Sequence, residues 1–247
     1  MISIITACYN SEATISRAIE SLLNQTDLNF EHIIVDGLSS DKTISVIEKY
    51  EKDYRERGIR LTVVSEKDHG IYDAMNKGIQ LANGKIVGIL NSDDWYDKDT
   101  VKVINELEQQ YPQIDIIMGA SNTINGDTTF VKKARNRVYI TSRDFNHGSM
   151  FVKKECYNEI GLYENKGNIY DDFMWFIRAK KRNREILIVD NILYNFTCGG
   201  TSTKKSVKDM VKRIKYRYEA YAVNGCSKIY IIECIIMEIV KFLAVRK

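Results

Sequence analysis

The run Ile89-Leu90-Asn91-Ser92-Asp93-Asp94-Trp95 delivers two adjacent carboxylates from an apolar segment into a polar turn. Charge concentrated in this way is costly unless solvent or a cation offsets it. Mg²⁺ or Mn²⁺ suits the pattern, because hard cations take oxygen ligands and typically combine one or two carboxylates with substrate phosphates. The simpler reading is that Asp93 and Asp94 cap a helix starting near Asp97. A second pair, Asp171-Asp172, opens the run Phe173-Met174-Trp175-Phe176-Ile177-Arg178. Such a pair could supply the general base that an acceptor hydroxyl needs, provided it reaches that hydroxyl by a hydrogen bond. Helix N-capping is the alternative for either residue.

Other polar residues stand where chemistry could use them. Asp36 ends the apolar segment Phe30 to Val35 and could hydrogen-bond a base or a ribose, while Ser39, Ser40 and Asp41 read more simply as caps of the next helix. Between Glu66 and Gly78, Asp68 is the residue assigned to a cleft. Asp73 suits a helix N-terminus, and Ile71, Ala74, Met75 and Ile79 have the spacing of a buried face. His147, in Asn146-His147-Gly148-Ser149, could contact a metal or a phosphate; a lone histidine is more often structural or surface-exposed.

The elements that must position these groups follow from periodicity. Ile2 to Thr6 is a β-branched run, followed by Ile15, Ala18, Ile19, Leu22 and Leu23 at helical spacing. The unit repeats: strand 30–35 and helix 43–50, strand 61–64 and helix 71–81, strand 86–90 and helix 99–111, then a strand at 114–118. Alternation of this kind predicts an α/β fold with a mostly parallel, Rossmann-like central sheet flanked by helices, binding ligands at the carboxyl ends of its strands. Asn10, Asp36, Glu66 to Asp68 and Asn91 to Asp94 all follow predicted strands, so four loops are expected to converge on one cleft. Beyond 118 the pattern is less regular until a helix near 173–179. A boundary near Gly119 divides a nucleotide half, 1–118, from an acceptor half, 119–200, within one sheet, and 201–247 forms a helical extension.

Composition excludes several classes. The 247 residues carry a net charge of only +3, too little for a nucleic-acid-binding domain. The five cysteines are scattered without a CxxC pair, which argues against a disulfide framework or a zinc site and fits a reducing cytosol. The start lacks signal-peptide character, so a cytoplasmic location is expected. Seven basic residues between Lys204 and Arg217 oppose the single acid Asp209 and could meet an anionic surface. In the apolar stretch Ile229 to Leu243, Glu233, Glu238 and Lys241 occupy one helical sector. Those charges argue against a membrane span and leave a wide apolar face, expected either at the inner surface of the membrane or packed on the core or in a homodimer.

Taken in order, Thr6-Ala7-Cys8-Tyr9-Asn10, Val35-Asp36-Gly37 with Ser40-Asp41-Lys42-Thr43, Asp68-His69-Gly70-Ile71-Tyr72-Asp73-Ala74-Met75-Asn76-Lys77-Gly78, Gly84 with Leu90-Asn91-Ser92-Asp93-Asp94, and His147 through Arg178 resemble glycosyltransferase family 2. Within that family the resemblance is to bacterial enzymes of capsule, O-antigen and colanic-acid-type polysaccharide assembly. It implies a GT-A fold and inverting transfer from a nucleotide diphosphate sugar, UDP favoured, to a glycan or polyprenyl-linked glycan. It implies that Asp36 meets the base and that Thr6, Ala7, Tyr9, Asp68, Asn91, Ser92 and Asp93 line the donor site. Asp93, supported by Asp94, would hold Mn²⁺ or Mg²⁺ on the diphosphate. Asp172 would be the catalytic base beside Asp171, where relatives often have glutamate, and His147 and Arg178 would be acceptor or phosphate contacts. Asn91 stands where the family usually has aspartate; an amide can bond a ribose hydroxyl but adds no charge. The place of a nucleotidyltransferase phosphate loop holds Ala7-Cys8-Tyr9-Asn10, and GxxxxGK[ST] is absent. A noncatalytic nucleotide-sugar-binding module is the remaining alternative.

Overall fold

A computed structural model describes residues 1–198 and 206–244, with the side chains of 241–244 excluded. Strand β1 (Ile2–Cys8) is buried along its whole length, as a β-branched run covered on both faces should be. It lies between β2 (Phe30–Asp36) and β4 (Ile86–Ile89), and β3 (Arg60–Ser65) extends the sheet beyond β2. All three pairings are parallel. The crossover helices α1 (Ile15–Leu23) and α4 (Ile71–Leu81) bury the faces their periodicity marks: Ile15, Ala18, Ile19, Leu22 and Leu23 in the first, Ala74, Met75 and Ile79 in the second. Gly78 lies inside α4 because a Cβ there would come within 2.3 Å of Ile5 Cγ2, so only glycine lets the helix approach β1 this closely.

The helix expected at 43–50 is two short ones, α2 (Thr43–Glu48) and α3 (Glu51–Glu56). Only Tyr54 of α3 is buried, so the segment has no apolar repeat to display. Tyr54 reaches into the core, where its hydroxyl meets His32 Nδ1 at 2.6 Å, and His32 Nε2 meets Thr6 Oγ1 at 2.9 Å. Burial holds the His32 ring neutral, with its pKa lowered to about 3.

The second half departs from the parallel pattern. After β5 (Trp95–Tyr96), α5 (Thr100–Gln110), β6 (Ile116–Asn125) and β7 (Thr128–Lys132), the strand β8 (Met150–Lys153) inserts antiparallel between β4 and β6. Helices α6 (Lys154–Ile160) and α7 (Asp171–Lys181) follow, and β9 (Ile186–Thr197) runs parallel to β6 and antiparallel to β5. One curled sheet thus runs β3-β2-β1-β4-β8-β6-β9-β5, with β7 beside β6. It is parallel from β3 through β2 and β1 to β4 and mixed beyond.

The chain ends in the helices α8 (Val207–Val223) and α9 (Tyr230–Ala244), which contact each other, with α8 also against α7. The basic stretch is not wholly presented to solvent. Arg213 and Arg217 are buried and share the fully buried Glu238, Arg213 Nε lying 2.7 Å from Oε2 and Arg217 Nη2 2.8 Å from Oε1. Glu233 is also turned inward, onto Thr141 Oγ1 and the Tyr221 hydroxyl, the latter at 2.6 Å. Helix α9 therefore packs through its charged sector, because α8 supplies two guanidinium groups for it. Lys204 and Lys205 lie outside the described residues, as does the side chain of Lys241. Replacement of Glu238 by alanine strands two buried guanidinium groups and should destabilise the fold by about 3–5 kcal/mol. Urea denaturation measures this, and a change below about 1 kcal/mol would show the pairing to be superficial.

Candidate active site

The carboxyl ends of β1, β2 and β4 meet through hydrogen bonds between their loops. Asn10, at φ 49°, bridges from β1 to the loop after β2: its N–H donates to Ser39 Oγ at 2.8 Å, and its Oδ1 accepts from the Ser40 N–H at 2.9 Å. Ser11 N–H donates to Thr43 Oγ1 at 2.7 Å, and Ser11 Oγ meets Ser92 Oγ at 2.9 Å, which ties the first loop to the acidic turn. Asp68 closes over the same edge, its Oδ1 accepting from Gly70 N–H at 2.9 Å. A Cβ on Gly37 would fall 2.5 Å from Asp68 Oδ2, so the two loops are in direct contact.

These contacts separate open groups from committed ones. Asp36 is fully buried, with Oδ2 accepting from Ser39 N–H at 3.0 Å and Ser65 Oγ at 2.7 Å, and Oδ1 accepting from Ser39 Oγ and from the Cys8 thiol at 3.7 Å. It ties the loop after β2 to the end of β3. Thr6 turns its hydroxyl into the core, so at Thr6 and Ala7, both buried, the backbone is what a ligand could meet. Tyr9, by contrast, is 62% exposed.

The adjacent carboxylates of the acidic turn have opposite environments. Asp94 is fully buried: Oδ1 accepts from Thr197 N–H at 2.8 Å, and Oδ2 from the Tyr194 hydroxyl and from Asn91 Nδ2 at 3.2 Å. Burial, with the neighbouring Asp93 charge, pushes its pKa up to about 6 despite these hydrogen bonds. Asp93 is half-buried, and no described residue donates to its carboxylate. The Asp93 carbonyl accepts from Arg17 Nη2, and the guanidinium stacks 4.2 Å from the Trp95 ring and also reaches Thr197 Oγ1 at 3.0 Å. Asn91 Oδ1 is buried and lacks a hydrogen-bond partner among the described residues. The expected helix starting near Asp97 begins at Thr100 with Asp99 as its N-cap, so neither Asp93 nor Asp94 serves as that cap.

Asp172 opens α7. Its Oδ1 accepts from Phe173 N–H at 2.8 Å and from the Tyr72 hydroxyl at 3.0 Å. Oδ2 has His147 Nδ1 at 3.6 Å and takes no hydrogen bond from a described residue. His147 Nε2 meets the Tyr163 hydroxyl at 2.9 Å, and burial lowers the imidazole pKa against the opposing pull of Asp172. One carboxylate oxygen is fixed by two hydrogen bonds and the other by none from a described residue. Asp171, the first residue of the same helix, is buried, with its pKa raised by burial. Arg178 is committed to Glu164 Oε1 at 2.9 Å and the Leu162 carbonyl at 2.7 Å, so it braces the segment before α7.

The two acidic motifs are mechanically connected. The Tyr194 ring lies over Gly148, where a Cβ would come within 2.1 Å of Cζ, and its hydroxyl holds Asp94. His147 precedes that glycine and lies beside Asp172. Arg17, Tyr72, Tyr163 and Tyr194 went unassigned in the sequence reading. Tyr72 lies within a recognised motif, but Arg17 and Tyr194 carry no local signal, since their partners are 76 and 100 residues away.

The family model for glycosyl transferase family 2 matches residues 3–181. A PGL/p-HBAD biosynthesis glycosyltransferase of Mycobacterium tuberculosis is 27% identical over 220 residues, covering 87% of this chain and 84% of that relative. Among solved structures, S. aureus TarS 1–349 in complex with UDP-GlcNAc superposes with a TM-score of 0.73 at 20% identity, covering 98% of this chain and 72% of that one. The mannosyltransferase PcManGT of Pyrobaculum calidifontis in complex with GDP-Man and Mn²⁺ gives 0.69 at 15% identity, covering 99% and 74%. These likenesses establish a GT-A arrangement.

The buried groups predict a pH dependence. His32 has a folded pKa of about 3 against an ordinary 6.5, so as pH falls below 6.5 the unfolded chain binds a proton that the fold does not, and stability is lost. Asp94, at about 6 against 3.8, works in the opposite sense: below pH 6 the fold takes up the proton first, and stability is gained. Asp94→Asn removes the opposing contribution. Its loss of stability between pH 6 and 4 should be steeper than that of the unaltered protein by up to about 1.4 kcal/mol per pH unit. Parallel pH profiles in chemical denaturation would refute this. The chain belongs to glycosyl transferase family 2.

Proposed function

We propose that this glycosyltransferase is inverting and metal-dependent, moving a sugar from a nucleotide diphosphate donor, UDP favoured, to a hydroxyl of a glycan or lipid-linked glycan in bacterial surface polysaccharide synthesis. On this reading residues 1–118 form the donor half and 119–200 the acceptor half, and the protein works at the inner face of the membrane. The observation that carries the mechanism is the asymmetry of Asp172, one oxygen held by Tyr72 and a backbone amide, the other without a donor among the described residues. Held in this way, Oδ2 can take the acceptor proton while the acceptor oxygen attacks the anomeric carbon from the face opposite the leaving diphosphate. His147, kept toward its neutral form by burial, would steady that carboxylate and the approaching hydroxyl without drawing the proton away.

The donor set fits Mg²⁺ or Mn²⁺ arriving with the nucleotide. Among the described residues no group of three His, Cys, Asp or Glu side chains could hold a metal alone. Asp93 offers a carboxylate without donors among the described residues, and Asp94 is held inside by Tyr194, Asn91 and Thr197, so Asp93 would be the ligand and Asp94 its support. A cation held by one or two carboxylates and completed by phosphate oxygens is the usual arrangement for Mg²⁺, and when bound it neutralises charge developing on the leaving group. The Asn91 side-chain carbonyl, buried without a partner among the described residues, suits a ribose hydroxyl. Tyr9 could stack on the base, with the Thr6 and Ala7 backbone, Asp68 and Ser92 around it. Asp36 would act on the base through Ser39. Complexes of the structural neighbours with UDP-GlcNAc, and with GDP-Man and Mn²⁺, support a nucleotide sugar and a divalent ion as ligands.

Screening a nucleotide-sugar panel with Mn²⁺ or Mg²⁺ for nucleotide diphosphate release, then adding lipid-linked acceptors, tests the reading. Asp93→Ala should lose both metal-dependent donor binding and turnover. Asp172→Asn should bind donor normally and turn over about 10²-fold or more slowly, as expected when a positioned base is lost. Full activity in excess EDTA would remove the metal from the mechanism, and near-normal turnover of Asp172→Asn would remove the base.

A further inference from the structure

Helix α9 is turned inside out relative to an ordinary surface helix. Glu233 and Glu238 point into the protein, whereas Ile229, Ile232, Ile235, Ile236, Ile239 and Val240 are 40–66% exposed. Clustered exposure of large aliphatic side chains marks an interaction surface. Beside it the segment 137–143 exposes Val138 completely and Tyr139 by half, and an apolar pocket of about 530 Å³ opens between the segment and the helix, walled by Tyr139, Ile140, Tyr230, Ile236 and Met237. Arg137 at this pocket is paired with Asp144 at 3.3 Å, whereas the exposed Arg143 has no carboxylate partner among the described residues. On α8, with Arg213 and Arg217 committed inward, Lys208, Lys212 and Lys215 remain exposed, and Val207 and Val211 are exposed beside them.

We infer that the outer face of α9 and the segment 137–143 together dock onto an anionic lipid bilayer, with the pocket receiving an apolar lipid chain and Arg143 meeting a headgroup phosphate. The inference extends the membrane-peripheral part of the proposed function, and its readout is vesicle binding, which stands or falls separately from the chemistry. A bilayer offers what this surface lacks, an apolar interior beneath negative headgroups. A second copy would bring only the same apolar face and another Arg143 without a carboxylate partner among the described residues. With 15 residues, α9 is roughly 22 Å long, short of the hydrocarbon core, so it would lie in the interface. No described helix is long and apolar enough to cross a membrane. The surface is also connected to the site: Tyr230 stacks on Tyr221 at 4.2 Å, and Tyr221 packs edge-on against Phe173 at 5.3 Å, next to Asp172.

The test is flotation of the full chain with vesicles of phosphatidylcholine alone and with about one third phosphatidylglycerol, alongside Ile232→Ser/Ile239→Ser, Lys208→Glu/Lys212→Glu/Lys215→Glu and Ile236→Trp. The exposed positions should leave the far-ultraviolet circular dichroism and melting temperature unchanged. The unaltered chain should float with anionic vesicles. The isoleucine variant should bind about tenfold or more weakly, and the lysine variant should lose the preference for anionic lipid and its salt dependence. The Ile236→Trp emission should shift to the blue and be quenched by lipids brominated on the acyl chain, which reports insertion of the pocket wall. Absence of binding to either vesicle, equal binding by the isoleucine variant, or a stable dimer that the isoleucine substitutions dissociate in the absence of vesicle binding would each overturn the inference.

Discussion

A carboxylate enclosed in a protein must be fully hydrogen-bonded or it will not stay ionised. Asp94 meets that requirement with partners from its own turn and from β9, about 100 residues on, and much of the site follows from it. Because Asn91, Tyr194 and Thr197 converge on Asp94, the turn after β4 is pinned against β9 and the adjacent Asp93 is left on the accessible side. Two neighbouring carboxylates thus acquire different characters, one with its pKa raised to about 6 and spent on structure, the other without a donor among the described residues. The charge repulsion between them is part of what raises Asp94, and a cation at Asp93 would relieve it.

The same tyrosine carries the constraint across the sheet. Tyr194 can reach Asp94 only because residue 148 has no side chain, and the 3₁₀ turn containing Gly148 places His147 beside Asp172. Groups from the parallel half and from the mixed half are therefore positioned by one packed contact. The insertion of β8 between β4 and β6 makes this possible, since it sets the His147 turn directly against the strand that ends in the acidic motif. On the proposed reading, the coupling keeps a leaving-group site and a base in fixed relation.

Local periodicity made the first half legible. Helix α4 was readable to its ends, 71–81, because its apolar spacing and the glycine before it are both local signals. Strands β1 to β4 were equally plain as short apolar runs before polar turns. In the second half β8 has four residues, and β9 alternates so poorly in burial that no period marks it. Its place depends on pairing with β6 across a bulge, which is non-local information. The carboxylates of the site were visible as residue types, but their division of labour was not: that Asp36 and Asp94 are enclosed while Asp93 and one oxygen of Asp172 are open depends on partners tens of residues away. The C-terminal helix shows the same limit in sharper form. Its charged sector could be read from the sequence, but its inward direction follows from Arg213 and Arg217 on the neighbouring helix.

The chemistry proposed for this family member requires the acceptor oxygen to approach from the side of Asp172 while the diphosphate departs toward Asp93. A single displacement of that geometry reverses the configuration at the anomeric carbon. The most direct test is proton NMR of the first product formed from an α-linked nucleotide sugar, read from the anomeric coupling constant of the new linkage. The account predicts a β-linked product; an α-linked product would contradict it, because retention requires either a second displacement or attack from the face of the leaving group.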